Sequence, residues 1–319
     1  MATVPIPHRS GRALRVGAGL LVTVFVVAAL RDAVEQRNRP PAPARVIVAG
    51  AAFPVSPVVL GNGSIRYAER ETGQIREVDA SGHLRSEPYA TVAVTATPGQ
   101  RGLLGVAVDR RGRTFAAWTR LADDRLVVGE VTPTAQRIVW LGPPSARLAN
   151  GGHIVVAPDG RIVIGIGDLL DRRKLTDPKA PNGKILAVDP DGEESQTPTV
   201  LSSGWNNPFA LAYLTDGSLW VADNAPGTQP ERIGRGDTDD VPRTNLPGRR
   251  APSALVALGP DRLGLCGYID RTMHDVRIVA GRAAQPGSAL VAPCSLGAAA
   301  RPDGSVVVTT EDQLATASP

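Results

Sequence analysis

The chain has 319 residues, with 35 basic and 31 acidic side chains and a net charge of +4. The basic excess lies in residues 1–44, which hold six Arg against one Asp and one Glu, so that residues 45–319 contain 29 basic and 29 acidic side chains. A body without net charge has no general attraction for a phosphate backbone. We therefore expect no nucleic-acid partner.

The first predicted element is a membrane or signal helix at residues 16–30, an uncharged run that follows a basic segment, residues 1–15. As a helix it is about 22 Å long, short of a bilayer core of about 30 Å, so it fits a signal peptide as well as an anchor with snorkelling Arg neighbours. Helix-forming residues continue to Pro40, which favours an uncleaved anchor. In that form residues 1–15 are cytoplasmic. A Pro-rich spacer at 31–45 follows. Either form of the helix places the body on the extracytoplasmic side, membrane-anchored or secreted.

From residue 46 to residue 319 a polar turn followed by a short apolar strand recurs six times. The six turns are anchored at Gly63, Gly112, Gly160, Gly217, Arg262 and Gly304. Their steps of 42 to 57 residues are typical of four-stranded propeller blades. Glycine in such turns supplies the positive φ that hairpins need. The pattern predicts an all-β, six-bladed β-propeller. A β-sandwich with coincidental spacing is the alternative.

Two further features of the body bear on function. The chain has two cysteines, Cys266 and Cys294, which could form a disulfide in an exported β domain or remain buried free thiols. The longest irregular stretch, residues 227–253, is a candidate for the rim of a site, since long loops on a rigid scaffold usually carry function or disorder.

Four segments, in this order and spacing, resemble the glucose/sorbosone dehydrogenase family of soluble quinoprotein glucose dehydrogenases and aldose sugar dehydrogenases. They begin with GSIRYAERETGQIREV at 63–78 and continue with GQRGLLGVAVD at 99–109. NGGHIVVAPDGRIVIGIGD at 150–168 follows, together with NGKILAVDPDG at 182–192, and GWNNPFALAYLTDGSLWVADNAPG at 204–227 comes last. The resemblance implies a six-bladed propeller.

The resemblance also implies a chemistry. In the family, pyrroloquinoline quinone (PQQ) sits at one end of the central channel, held by Ca²⁺ and polar side chains. A His removes the proton from the sugar C1 hydroxyl while hydride passes to the quinone. An Arg stabilises the charge on the reduced quinone. In this sequence the His position is Ala149 and the Arg position is Asn206, so both reactive side chains are missing.

The supporting positions are retained. The resemblance implies that Gln100 and Asn207 contact the cofactor and that the backbone carbonyls of Ala225 and Pro226 bind Ca²⁺. It also implies a possible metal role for Glu231, which follows the calcium loop. The expected ligands are accordingly a sugar or a quinone.

His153 is a candidate replacement base, four residues after Ala149. On a regular strand that offset is about 13 Å, so His153 reaches the same place only through a bulge or a register change. Otherwise it is a surface or blade-packing residue. Asp168, which ends a strand, is expected to cap a turn rather than to act in catalysis. The chain has no pair of histidines at metal-ligand spacing and no CxxC motif, which argues against a zinc site.

Three functions follow from these observations. The first is an exported propeller that has lost its catalytic pair and binds a ligand or partner at the channel mouth. The second is an active PQQ-dependent aldose dehydrogenase whose base is His153 or a residue of the 227–253 loop. The third is an adaptor that works with a cell-envelope protein partner and takes no small ligand.

Overall fold

The computed structural model describes residues 40–319. The predicted segments 1–15 and 16–30, and the spacer up to residue 39, lie outside the described residues. Within 40–319 no helix is long and apolar enough to cross a membrane. The described chain is an all-β, six-bladed propeller, as predicted from the turn spacing.

Two short strands open the described chain, and blades 1 to 3 follow. The opening strands are β1 (Ala42–Pro43) and β2 (Arg45–Ala49). Blade 1 contains β3 (Pro54–Val59), β4 (Ile65–Glu69), β5 (Gln74–Val78) and β6 (Ala90–Thr91). Blade 2 contains β7 (Leu103–Val108), β8 (Thr114–Thr119), β9 (Arg125–Val131) and β10 (Gln136–Pro144). Blade 3 contains β11 (Gly151–Val156), β12 (Ile162–Ile166), β13 (Lys184–Val188) and β14 (Thr199–Ser202), with a 3₁₀ turn at Arg172–Thr176.

Blades 4 to 6 complete the ring. Blade 4 contains β15 (Pro208–Tyr213), β16 (Leu219–Asp223), β17 (Arg232–Arg235) and β18 (Thr244–Asn245). Blade 5 contains β19 (Pro252–Gly259), β20 (Arg262–Gly267), β21 (Met273–Val279), β22 (Arg282–Ala283) and β23 (Ala289–Ala292). Blade 6 contains β24 (Gly297–Ala300), β25 (Val306–Thr309) and β26 (Gln313–Ala317). The two ends of the described chain meet, because β2 pairs with β26 as the outer strand of blade 6. Strand β1 adds to blade 5 in parallel with β23.

The predicted turns join the innermost strand of a blade to the second one. Five of the six contain a glycine in the left-handed region, with φ between 82° and 91°. Other residues adopt this conformation only at a cost, which explains why the repeat is readable in the sequence. The first strands of the six blades, β3, β7, β11, β15, β19 and β24, pack against one another around the axis.

The core lies mainly between neighbouring blades. Between blades 2 and 3, for example, Leu104 and Phe115 pack with Ile154 and Ile164, and all four are almost fully buried. Because both faces of a blade are covered, its strands appear in the sequence as continuous apolar runs. Cys266 and Cys294 form a disulfide with a Cα–Cα distance of 5.6 Å. It links β20 of blade 5 to the segment before β24 of blade 6.

Candidate functional site

Two adjoining cavities lie at the end of the propeller where the innermost strands begin. The first, the axial pocket, has a volume of about 260 Å³ and is lined by all six blades. Its lining includes Val55, Leu104, Gly151, Phe209, Pro252 and Leu296. The second, the side pocket, has a volume of about 220 Å³ and lies beside blades 3 and 4. The two pockets share Gln100, Asn207 and Asn224 in their linings.

The side pocket brings together six positions that the resemblance to the family singled out in the sequence. They are Gln100, Ala149, Asn206, Asn207, Ala225 and Pro226. They come from four different loops, each at the start of a blade or between strands at this end of the ring. The structure therefore places the two positions of the missing His and Arg in one cavity with the predicted cofactor and calcium positions.

The loop that carries Ala149 is held in an unusual conformation. Ala149 has φ = +57°, in the left-handed region that a Cβ disfavours. Its N–H donates to Gln100 Oε1 at 2.9 Å. The buried Asn150 amide donates to the carbonyl oxygens of Gln100 and Ala146, both at 2.8 Å. These hydrogen bonds fix the loop although only a methyl group projects from residue 149.

A buried carboxylate fixes the neighbouring Asn206–Asn207 segment. Asp223, which is fully buried, accepts hydrogen bonds from the backbone N–H of Asn206 at 2.9 Å and of Asn207 at 2.7 Å. Arg232 forms an ion pair with the same carboxylate. Asn207 Oδ1 in turn accepts from the N–H of Gly151 at 2.9 Å, which joins blade 4 to blade 3.

This arrangement leaves hydrogen-bond donors for a ligand. The side-chain carbonyl oxygens of Gln100 and Asn207 are used within the protein. Their NH₂ groups, and the side chain of Asn224, make no hydrogen bond within residues 40–319. An amide NH₂ is a donor of two hydrogen bonds. The shared wall of the two pockets is therefore suited to a ligand rich in acceptor oxygens.

Charged side chains at the two pockets are few. Arg70 lines the axial pocket, with its guanidinium stacked 3.7 Å over the ring of Phe53. Arg249 lines the side pocket and donates to the carbonyl oxygen of Gly227. Asp168 also lines the side pocket, where its Oδ1 accepts from the N–H of Leu170 at 2.9 Å. Asp168 thus caps a turn, as the sequence indicated, and one of its carboxylate oxygens remains.

His153 does not lie in either pocket. It lines a third cavity of about 350 Å³, the far cavity, formed by the later residues of the innermost strands. A bulge does interrupt β11 between Gly151 and Ile154, but it does not bring His153 into the pocket of Ala149. Burial lowers the pKa of His153 to about 4, so the imidazole is neutral at physiological pH. Among the described residues, no imidazole lines the axial or the side pocket.

Glu231 holds a loop and does not line either pocket. Its fully buried carboxylate accepts from the backbone N–H of Arg250 at 2.8 Å and of Ala251 at 3.0 Å. Both oxygens are used in this way, which argues against the metal role inferred from the resemblance. In residues 40–319 no three His, Cys, Asp or Glu side chains form a cluster that could hold a metal ion.

Four polar or aromatic residues that line the pockets were not named individually in the sequence analysis. Arg70, Asn224, Arg249 and Tyr268 come from loops of three blades, and only Asn224 stands beside a predicted position. Arg249 belongs to the long 227–253 stretch, which also contributes Ala251, Pro252 and Ser253 to the lining of the axial pocket. The order of residues gave no sign that Arg70 or Tyr268 would meet them at the axis.

Comparison with known proteins agrees with this architecture. The sequence profile of the Glucose / Sorbosone dehydrogenase family matches residues 52–231. The PQQ-bound aldose sugar dehydrogenase of Streptomyces coelicolor is 21% identical, with 88% of this chain and 99% of that chain covered and a TM-score of 0.72. The apo form of the soluble aldose sugar dehydrogenase of Escherichia coli is 17% identical, with 87% and 100% covered and a TM-score of 0.73.

No curated protein matches the chain significantly. The solved structures, at identities of 21% and 17%, share the propeller fold. The family profile covers more than half of the chain and includes every residue that lines the side pocket except Arg249. The chain therefore belongs to the glucose/sorbosone dehydrogenase family.

Proposed function

We propose that this protein is a catalytically degenerate member of its family, which binds an acceptor-rich ligand at the axial and side pockets without oxidising sugars by the family's route. One observation carries the proposal. By the resemblance to the family, Ala149 and Asn206 stand at the two reactive positions, and hydrogen bonds hold the loops that carry them in the side pocket. A methyl group cannot accept a proton, and a neutral amide cannot replace a guanidinium opposite a developing charge.

The remaining residues are suited to hold the family's cofactor. Free NH₂ groups on Gln100 and Asn207, with Arg70 and Arg249 nearby, match the carbonyl and carboxylate oxygens of a quinone such as PQQ. The backbone carbonyls at Ala225 and Pro226 are oxygen donors of the kind that Ca²⁺ prefers. Bound PQQ would supply a hydride acceptor. The chain's own residues would then bind and orient it, without a histidine to take the substrate proton.

The alternative is an active dehydrogenase with a relocated base. His153 lines a different cavity, and the 227–253 loop contributes Arg249 and Ser253 to the pockets, neither of which is a base at neutral pH. Among the described residues, Asp168 is the one carboxylate that lines the side pocket, and its second oxygen is not used by the turn it caps. If the protein does oxidise aldoses, Asp168 is the residue we expect to accept the proton.

Turnover measurements distinguish these functions. The full-length protein is supplied with PQQ, Ca²⁺, an aldose and an artificial electron acceptor, and we expect no turnover above a blank without protein. The double substitution Ala149→His with Asn206→Arg restores both reactive groups and should produce measurable turnover. Robust turnover by the unmodified protein would overturn the proposal, and its loss in Asp168→Asn would then identify the relocated base.

Ligand binding is measured separately from turnover. A ligand that binds only the native state raises the midpoint of thermal unfolding by mass action. We expect PQQ with Ca²⁺ to raise it, and we expect Asn207→Ala to reduce that effect. If neither PQQ nor aldoses shift the midpoint, the third function, an adaptor for a cell-envelope protein, becomes the better description.

We also propose that the propeller lies on the extracytoplasmic side, tethered through residues 16–30 or released after cleavage there. The disulfide between Cys266 and Cys294 supports this location, because such bonds persist in oxidising compartments. Protease treatment of intact cells tests the proposal. Protection of the propeller until the cytoplasmic membrane itself is broken would contradict it.

A further inference from the structure

The far cavity differs in character from the pockets at the opposite end of the innermost strands. All six blades contribute to it through residues that follow the axial pocket along each strand. Its lining includes Val58, Val108, His153, Leu211, Leu255 and Ala300. No residue lines both the far cavity and the axial pocket. Val55, Leu104, Phe209 and Leu296 line only the axial pocket, so an apolar layer separates the two spaces.

The far cavity carries no charge. None of the residues that line it is Asp, Glu, Lys or Arg, whereas Arg70, Arg249 and Asp168 line the other pockets. Only two lining side chains are polar, those of Ser56 and His153. The Ser56 hydroxyl is already used, since it donates to the carbonyl oxygen of Val106 and accepts from its N–H. Among residues 40–319, His153 is therefore the one polar side chain in this lining that lacks a protein partner.

His153 is placed to meet a ligand. Its ring packs against Phe209 with 5.8 Å between centroids, and its Nδ1 has no hydrogen-bond partner within the described residues. The residue is half-buried, and its Nδ1 atom is fully buried. Burying a polar atom without a partner is unfavourable, so such atoms usually mark a bound molecule, a water or a functional role. The neutral imidazole can donate through one nitrogen and accept through the other. Binding of an anion in the far cavity would be unfavourable, because no positively charged residue among those that line it would balance the charge.

We propose that the far cavity binds an uncharged, mainly hydrocarbon molecule with a single hydroxyl group, which forms a hydrogen bond with the imidazole of His153. The volume of about 350 Å³ is at the lower end of the range for small-molecule sites. Contact of the hydrocarbon part with the apolar walls supplies most of the affinity. The hydrogen bond with the imidazole favours molecules with a hydroxyl group over those without one. This site is independent of the axial and side pockets and of their proposed function.

Three probes of similar size test the proposal, namely phenol, toluene and benzoate. The full-length protein is labelled with ¹³C and ¹⁵N at histidine, and imidazole resonances are followed at pH 7.5 during titration. We expect phenol to shift the His153 resonances saturably, with an affinity about fivefold higher than that of toluene, as one hydrogen bond provides. Benzoate should leave them unchanged, and so should all three probes for His83 and His274.

Two substitutions separate the contributions of the wall and the imidazole. Because His153→Leu removes the reporting imidazole, its affinities are measured by isothermal titration calorimetry. His153→Leu should lower the affinity for phenol about fivefold, to that of toluene, while His83→Leu, at an exposed position, should change neither affinity. Ala298→Leu fills the far cavity and should weaken both probes, with His153 still present to report. The proposal is overturned if neither phenol nor toluene shifts His153 saturably in the unmodified protein, as expected of a cavity that holds water alone. Equal responses to benzoate and phenol would overturn it too.

Discussion

Removing the disulfide tests how blades 5 and 6 are held together. Cys266 and Cys294 are both fully buried, and the bridge closes a loop with a sequence separation of 28. For a loop of that length, restriction of the unfolded chain stabilises the native state by about 3.6 kcal/mol. The double substitution Cys266→Ala with Cys294→Ala also leaves two small cavities, so we expect a total loss of about 4 kcal/mol in the free energy of unfolding.

Urea denaturation of the full-length protein, followed by tryptophan fluorescence, measures this loss. Trp118, Trp205 and Trp220 are buried in blades 2 to 4, so their signal reports the unfolding of blades that the substitutions do not alter. A loss below about 1 kcal/mol with an unchanged m value would refute the reasoning, because the bridge would then restrict the unfolded chain very little. Loss of β-structure seen by circular dichroism at lower urea than the tryptophan transition would show that the ring does not unfold as one unit.

Three further predictions concern the sites. Ala149→Gly should raise the free energy of unfolding by about 1 kcal/mol, because glycine adopts φ = +57° without strain; a destabilised variant in urea denaturation would contradict this. Asp223→Asn should lower it by about 3 kcal/mol or more, since an NH₂ group would face backbone N–H donors and Arg232 would lose its buried partner; an unchanged unfolding curve would count against that network. The pKa of His153 is about 4 in the folded chain and about 6.5 in the unfolded chain. As the pH falls, the unfolded chain therefore binds a proton at His153 before the folded chain does. Stability should therefore decrease by at most about 3 kcal/mol between pH 7 and pH 4, and His153→Leu should lose that part of the pH dependence.

The repeat of turns predicted the propeller because each blade needs the same local conformation at the same point. Gly112 and Gly160 adopt positive φ there, and residues with a Cβ do so only at a cost. The apolar runs predicted buried strands for a similarly local reason. The pairing of β1 with blade 5 could not be predicted, because Ala42 and Pro43 give no apolar signal and their partners lie about 250 residues away.

The candidate site was predictable only where the resemblance supplied positions. Gln100, Ala149 and Asn207 meet as the family's order implies. Arg70 and Tyr268 meet them through the closure of the ring, which depends on blade geometry rather than on any local pattern. The distance between Ala149 and His153 was easier to predict. A separation of about 13 Å is expected for four residues of extended chain, and the two residues line separate cavities.

The polar framework of the side pocket is costly to maintain. A left-handed alanine at position 149 and a buried carboxylate at Asp223 are both unfavourable alone, and each persists only because several hydrogen bonds determine it. The shape that these groups impose places the free amide donors of Gln100 and Asn207 on one wall. A chain that needed only a stable propeller would have no physical reason to keep Ala149 strained, since a glycine there would relieve the strain. The strained loop therefore favours a bound ligand over a purely structural ring, and it requires no proton transfer.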